Sequence, residues 1–122
     1  MALRALLVDD DARFRAMARR ALVADGLDVV AEVGKGAEVG DAVALWRPDV
    51  VLLDIGLPDV DGLEVTRRLR AEPGCPVVIL ISSRDVAYGR QVAHGVAAGY
   101  LPKDALSLAA VLEVFGQTPG QP

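Results

Sequence analysis

Apolar residues along this chain fall into two alternating rhythms. One is the short run: Leu3–Val8, broken only by Arg4, then Val50–Leu53, which closes on Asp54, and Pro76–Ile81, which closes on Ser82-Ser83. Runs of this length, rich in β-branched residues, predict strands buried on both faces. Asp28–Val33 and the brief Gly99–Pro102 read as two more. The other rhythm is helical. From Ala12 the residues Phe14, Met17, Ala18, Ala21 and Leu22 share one face, with Arg13, Arg15, Arg19 and Arg20 opposite and Gly26 as the stop. After the turn Gly34-Lys35-Gly36, the residues Val39, Ala42, Val43 and Trp46 mark a second helix, closed by Pro48, with Trp46 in the core. Asp61 and Glu64 resemble a capping box opening a third helix to about Arg70 or Ala71, before Glu72-Pro73-Gly74 breaks it. A less regular helix is expected from about Arg84 to Ala98, weakened by Gly89 and Gly95. In the last helix Leu108, Val111, Leu112 and Phe115 form the inward stripe, leaving Ala110 and Val114 outward as a docking surface.

Strands alternating with helices predict an α/β, doubly wound (βα)5 domain: a parallel five-stranded sheet between two helical layers. The 122 residues are a single-domain length, and 52% hydrophobic content supplies one full core. A net charge of −4 argues against direct nucleic-acid binding, which needs clustered Lys and Arg. No apolar run is long enough for a membrane span, and Met1-Ala2-Leu3-Arg4 does not open a secretory signal. Cys75 is the lone cysteine, so no internal disulfide forms, and a reducing cytoplasm is the expected setting.

In a parallel sheet the carboxyl ends of the strands share one edge, where open α/β sheets bind their ligands. Strand one brings Asp9 and Asp10 there, strand three Asp54, strand four Ser82, and strand five is followed by Lys103. Carboxylates held close together repel, and a hard divalent cation such as Mg²⁺ removes the conflict. An aspartate can be the nucleophile of a phosphoryl transfer whose charge a metal and a lysine neutralise. Ser82 can donate a hydroxyl hydrogen bond to the transferred group. No nucleotide-binding loop is present, so the phosphate must come from another molecule. Asp11 reads as a helix start, His94 as a surface residue, and Cys75 as an inert thiol.

At these residues the chain resembles the receiver domain of bacterial two-component response regulators. The resemblance rests on Val8-Asp9-Asp10, Asp54 with Leu57-Pro58 and Asp61-Gly62, Ser82, and Gly99-Tyr100-Leu101-Pro102-Lys103, in register over residues 3 to about 115. It implies a flavodoxin-like fold with strand order 2-1-3-4-5. It also implies that Asp54 accepts a phosphoryl group from a sensor histidine kinase or acetyl phosphate. Mg²⁺, or Mn²⁺, would be held by Asp9, Asp10, Asp54 and the Gly56 carbonyl. Ser82, the Ser83 N–H and Lys103 would contact the phosphoryl oxygens, and Tyr100 would be a switch that turns inward when Ser82 moves. Such a domain catalyses only its own phosphorylation and dephosphorylation. The run Tyr100-Leu101-Pro102-Lys103-Asp104-Ala105 resembles the NarL/FixJ (LuxR-type) group, which implies a phosphorylation-dependent homodimer and a helix-turn-helix DNA-binding domain outside this chain. Residues 1–116 are then the receiver domain and 117–122 a tail or the start of a linker. A phosphohydrolase would need a second acid where Gly56 stands. A flavin module would need a hydroxyl-rich loop where Asp9-Asp10-Asp11 stand. A pseudo-receiver without phosphate chemistry fits poorly with the intact acidic set.

Overall fold

The computed structural model describes residues 2–83 and 94–116. In chain order its elements are β1 (Arg4–Val8), α1 (Ala12–Ala24), β2 (Asp28–Val33), α2 (Val39–Trp46), β3 (Val50–Asp54), α3 (Gly62–Arg70), β4 (Val77–Ser82), β5 (Gly99–Pro102) and α4 (Leu108–Gly116). The strands form one parallel sheet in the order β2-β1-β3-β4-β5, the doubly wound arrangement the alternation predicts. Because side chains alternate across a strand, each buried strand feeds two cores. Leu7, Leu52 and Ile79 join Phe14, Ala18, Leu22 and Val111 on the face covered by α1 and α4. Leu6, Val51 and Leu80 join Val39, Ala42, Val65 and Leu69 on the face covered by α2 and α3.

Register fixes what meets at the carboxyl edge. Val8 pairs with Leu53, so the next residues, Asp9 and Asp54, are neighbours across β1 and β3. Asp54 pairs with Ile81, and Ser82 pairs with Pro102, which delivers Lys103 to the same edge. Helix starts follow the expected chemistry. Asp11 caps α1 by accepting the Arg13 and Phe14 N–H groups, and Asp61 caps α3 by accepting that of Leu63. Among the described residues only the Asp61 half of the expected capping box is made. Gly26 (φ 106) ends α1 in the left-handed region, with Leu27 N–H donating back to the Leu22 carbonyl.

Expectations about helix faces are corrected at Met17, Ala21, Trp46, Leu112 and Val114. Met17 is 64% exposed and Ala21 lies outside the core, because Phe14, Ala18 and Leu22, one turn apart, carry the contact of α1. Trp46 is 42% exposed: Val39 and Ala42 hold α2, and Arg47 turns left-handed (φ 48) before Pro48, so the final helical turn stays at the surface. Leu112 is exposed, whereas Val114 points inward and presses against Gly99. A Cβ on Gly99 would lie 2.6 Å from a Val114 methyl, so this helix passes close against β5 at that glycine. The helix expected from Arg84 falls largely outside the described residues, but His94–Val96 form a turn rather than its last helical turn. His94 is exposed, as expected.

Gly62 opens α3 directly under the site. A Cβ there would stand 2.7 Å from the Asp54 carbonyl oxygen and 2.8 Å from the Ile55 Cα, both backbone atoms that cannot swing aside. Gly62→Ala is therefore expected to cost about 1–3 kcal/mol in urea unfolding. Gly40→Ala, at an exposed site in α2 with open space around it, is expected to stabilise by up to about 1 kcal/mol.

Candidate functional site

Every polar atom of Asp9 has a partner. Its N–H donates to the Val33 carbonyl (3.2 Å), its Oδ1 accepts from the Asp11 N–H (2.8 Å), and its carbonyl accepts from the Arg15 guanidinium. Its Oδ2 lies 2.6 Å from Lys103 Nζ. The carboxylate is fully buried, and this ion pair sets an opposite charge against it. Lys103 also reaches Asp54 Oδ2 at 3.5 Å and lies 4.6 Å from the centre of the Phe14 ring, a cation–π contact.

Asp54 closes β3 in a buried position, and its Oδ1 accepts the Gly56 N–H at 3.1 Å. Burial raises its pKa above the ordinary 3.8 and Asp9 adds to the rise, while the Gly56 N–H and Lys103 pull the other way. Burial opposes the charge on Lys103, but the hydrogen bond to Asp9 and the two nearby carboxylates outweigh it and hold its pKa above 10.5. Its pairing therefore contributes in full at neutral pH and is lost only as pH rises through that raised value.

Asp9, Asp10 and Asp54 each turn a carboxylate oxygen toward one point, and these oxygens all lie within 4.8 Å of one another. Three hard anionic donors against a single lysine leave net negative charge at this edge, a donor set that fits Mg²⁺ or Mn²⁺. Asp10 is the exposed member, open to solvent and to an ion with its own waters. Gly56 lies in the turn after Asp54 and is exposed. Ser82 is buried at the end of β4, and Ser83 beside it is exposed. Tyr100 is buried in the core under α2 and α3, with its hydroxyl donating to the Ser82 carbonyl at 3.5 Å. In this structure the ring is already turned inward.

The edge also holds contacts the sequence reading passed over. The Asp59 carboxylate accepts the N–H groups of Gly36 (2.9 Å) and Ala37 (3.1 Å), joining the loop after Asp54 to the turn before α2. These bonds hold its pKa below 3.8. Arg15, assigned to the outer face of α1, instead lies against Glu32 at 3.3 Å and against the Asp9 carbonyl. Gly34 leaves room for it: a Cβ there would be 3.1 Å from Arg15 Nη1. That glycine directly after β2 was the available signal, since a strand-end glycine marks close approach of another group. Cys75 donates to the Pro76 carbonyl at 3.0 Å, and burial pushes its thiol pKa up, in keeping with an inert role.

Residues 5–113 match the response regulator receiver domain family. The DNA-binding response regulator MtrA of Mycobacterium tuberculosis (strain ATCC 25618 / H37Rv) is 44% identical over 82 residues, covering 67% of this chain and 36% of MtrA. The chain thus spans about a third of the length of that relative. Among solved structures, the signal receiver domain of NarL from Mycobacterium tuberculosis superposes with a TM-score of 0.83 at 33% identity, covering 95% of this chain and 98% of that one. The BeF3-activated N-terminal receiver domain of RstA from Klebsiella pneumoniae gives 0.79 at 27%, covering 97% and 99%. The NarL likeness agrees with the sub-family expected from Tyr100–Ala105.

Because Asp54 carries its charge in a buried place beside other acids, removing that charge should relieve the fold. Asp54→Asn is expected to raise thermal stability without divalent ions at pH 7 by about 1 kcal/mol, or ~4 °C. Calorimetric scans with and without Mg²⁺ check this, the ion narrowing the gap by stabilising only the wild type. A raised carboxylate pKa also means that this residue's destabilising share fades as pH falls through its folded value, above 3.8.

Proposed function

The chain belongs to the response regulator receiver domain family, and we propose that it is a phosphorylation-dependent switch of a two-component system with Asp54 as phosphoryl acceptor. The observation that carries this reading is the meeting of Asp9, Asp10 and Asp54 at one sheet edge with Lys103 against them.

An Asp54 carboxylate oxygen attacks the phosphorus of a phosphohistidine on a sensor kinase, or of acetyl phosphate. The new O–P bond forms as the bond to the donor's nitrogen or oxygen breaks, and the electron pair leaves with the donor. Asp9, Asp10, Asp54 and the Gly56 carbonyl would hold Mg²⁺ or Mn²⁺, which supplies positive charge beside the transferring group. Lys103 provides the second positive charge, already held at the site by Asp9. The Ser82 hydroxyl and Ser83 N–H bind the phosphoryl oxygens. The domain turns over no other substrate.

The output runs through Ser82. Its carbonyl accepts the Tyr100 hydroxyl, so a shift of Ser82 toward phosphate changes what holds the ring of Tyr100. Two arrangements of this corner then differ in population, and the surface around β5 and α4 changes with them. The partners are the sensor kinase, a second phosphorylated copy, and a DNA-binding output domain; the relative MtrA is by name a DNA-binding response regulator. We assign residues 1–116 to the receiver unit; 117–122, expected as a tail or the start of a linker, lie outside the described residues. Among the described residues no helix is long and apolar enough to cross a membrane, and the setting we propose is the cytoplasm.

Acetyl phosphate with Mg²⁺ should add one phosphoryl mass to the intact protein, labile in alkali. Asp54→Asn should show no gain, and omission of the metal should suppress it in the wild type. An equal gain in Asp54→Asn would refute the assignment.

A further inference from the structure

Arg15 reaches the acidic edge from the far side of β1. Its guanidinium donates to the Asp9 carbonyl, and its Nε lies 3.3 Å from Glu32 Oε1 on β2. Glu32 is itself held by Arg19, whose Nη1 lies 2.8 Å from its Oε2. Gly34 keeps the approach open. The Asp9 carbonyl and the Asp10 N–H belong to one rigid peptide plane, so fixing that carbonyl fixes the direction in which Asp10 leaves β1. Among the described residues none hydrogen-bonds the Asp10 carboxylate; its aim is set through the main chain.

We propose that Arg15, anchored by Glu32, is a positioning residue for divalent-cation binding: it orients the Asp9–Asp10 peptide so that both carboxylates face Asp54. The inference rests on the reading of this edge as a metal and phosphoryl site. Groups outside the ligand set that orient ligands typically contribute tenfold or more to metal affinity.

Charge and geometry make opposite predictions here. As a charge, Arg15 repels a cation, so removing it would tighten Mg²⁺ binding. As a clamp, it assembles the carboxylates, so removing it weakens binding. Titration calorimetry of Mg²⁺ into wild type, Arg15→Met and Arg15→Lys separates the two. Arg15→Met should weaken Mg²⁺ about tenfold. Arg15→Lys keeps the charge but cannot span both Glu32 and the Asp9 carbonyl, so it should also weaken binding. Phosphorylation from acetyl phosphate at saturating Mg²⁺ should return to within about twofold of wild type in both, because the clamp acts through the ligands. Unchanged or tighter Mg²⁺ binding in either variant, with a melting transition like that of wild type, overturns the proposal. Should Arg15→Met fail to fold, Arg15→Lys decides alone. Absence of both Mg²⁺ binding and phosphorylation in the wild type would instead overturn the underlying reading of the site.

Discussion

The contact between Lys103 and the fully buried carboxylate of Asp9 is the constraint on which the carboxyl edge depends. A carboxylate at that depth is costly to hold unless an opposite charge and hydrogen bonds accompany it. The lysine arrives only because β5 lies beside β4, and the aspartate only because β1 lies beside β3. One ion pair therefore ties residues from opposite ends of the chain. It also sits in an excess of negative charge, since Asp54 shares the lysine and Asp10 lies close by.

From that excess follow the chemical possibilities of the edge. A cation is welcome there, and a phosphoryl group is not unless positive charge accompanies it. The fold has arranged both: oxygen donors converging on one point, and an ammonium beside them. Burial makes Asp54 reluctant to ionise, while the Gly56 N–H and Lys103 favour the ionised form. The net effect is a carboxyl whose pKa lies above the ordinary 3.8.

Much of this can be read from residue order. Val50–Leu53 is buried on both faces and Gly56 and Pro58 cannot continue a strand, so Asp54 had to fall at a strand end. The same reasoning located Asp9, Ser82 and Lys103. Less could be read about helix faces, because period alone gives the centre of an apolar stripe and not its width. Met17 and Leu112 lie at the margins of their stripes, and Val114 is inward only because Gly99 leaves space for it. Trp46 is exposed because Arg47 ends the helix in a left-handed turn, a choice its side chain does not advertise. The polar contacts of Arg15, Glu32 and Asp59 join loops and elements far apart in sequence, where periodicity carries no signal.

Asp59 shows what such a contact means for the rim as a whole. Its two hydrogen bonds fasten separate crossover connections to each other, yet the carboxylate stands fully in water. With its pKa depressed, the fastening holds above about the ordinary 3.8 and lets go as acid protonates it. The apolar packing of the strands beneath does not titrate. Below that pH the rim loses this tie between its two connections, while the hydrocarbon of the sheet stays packed.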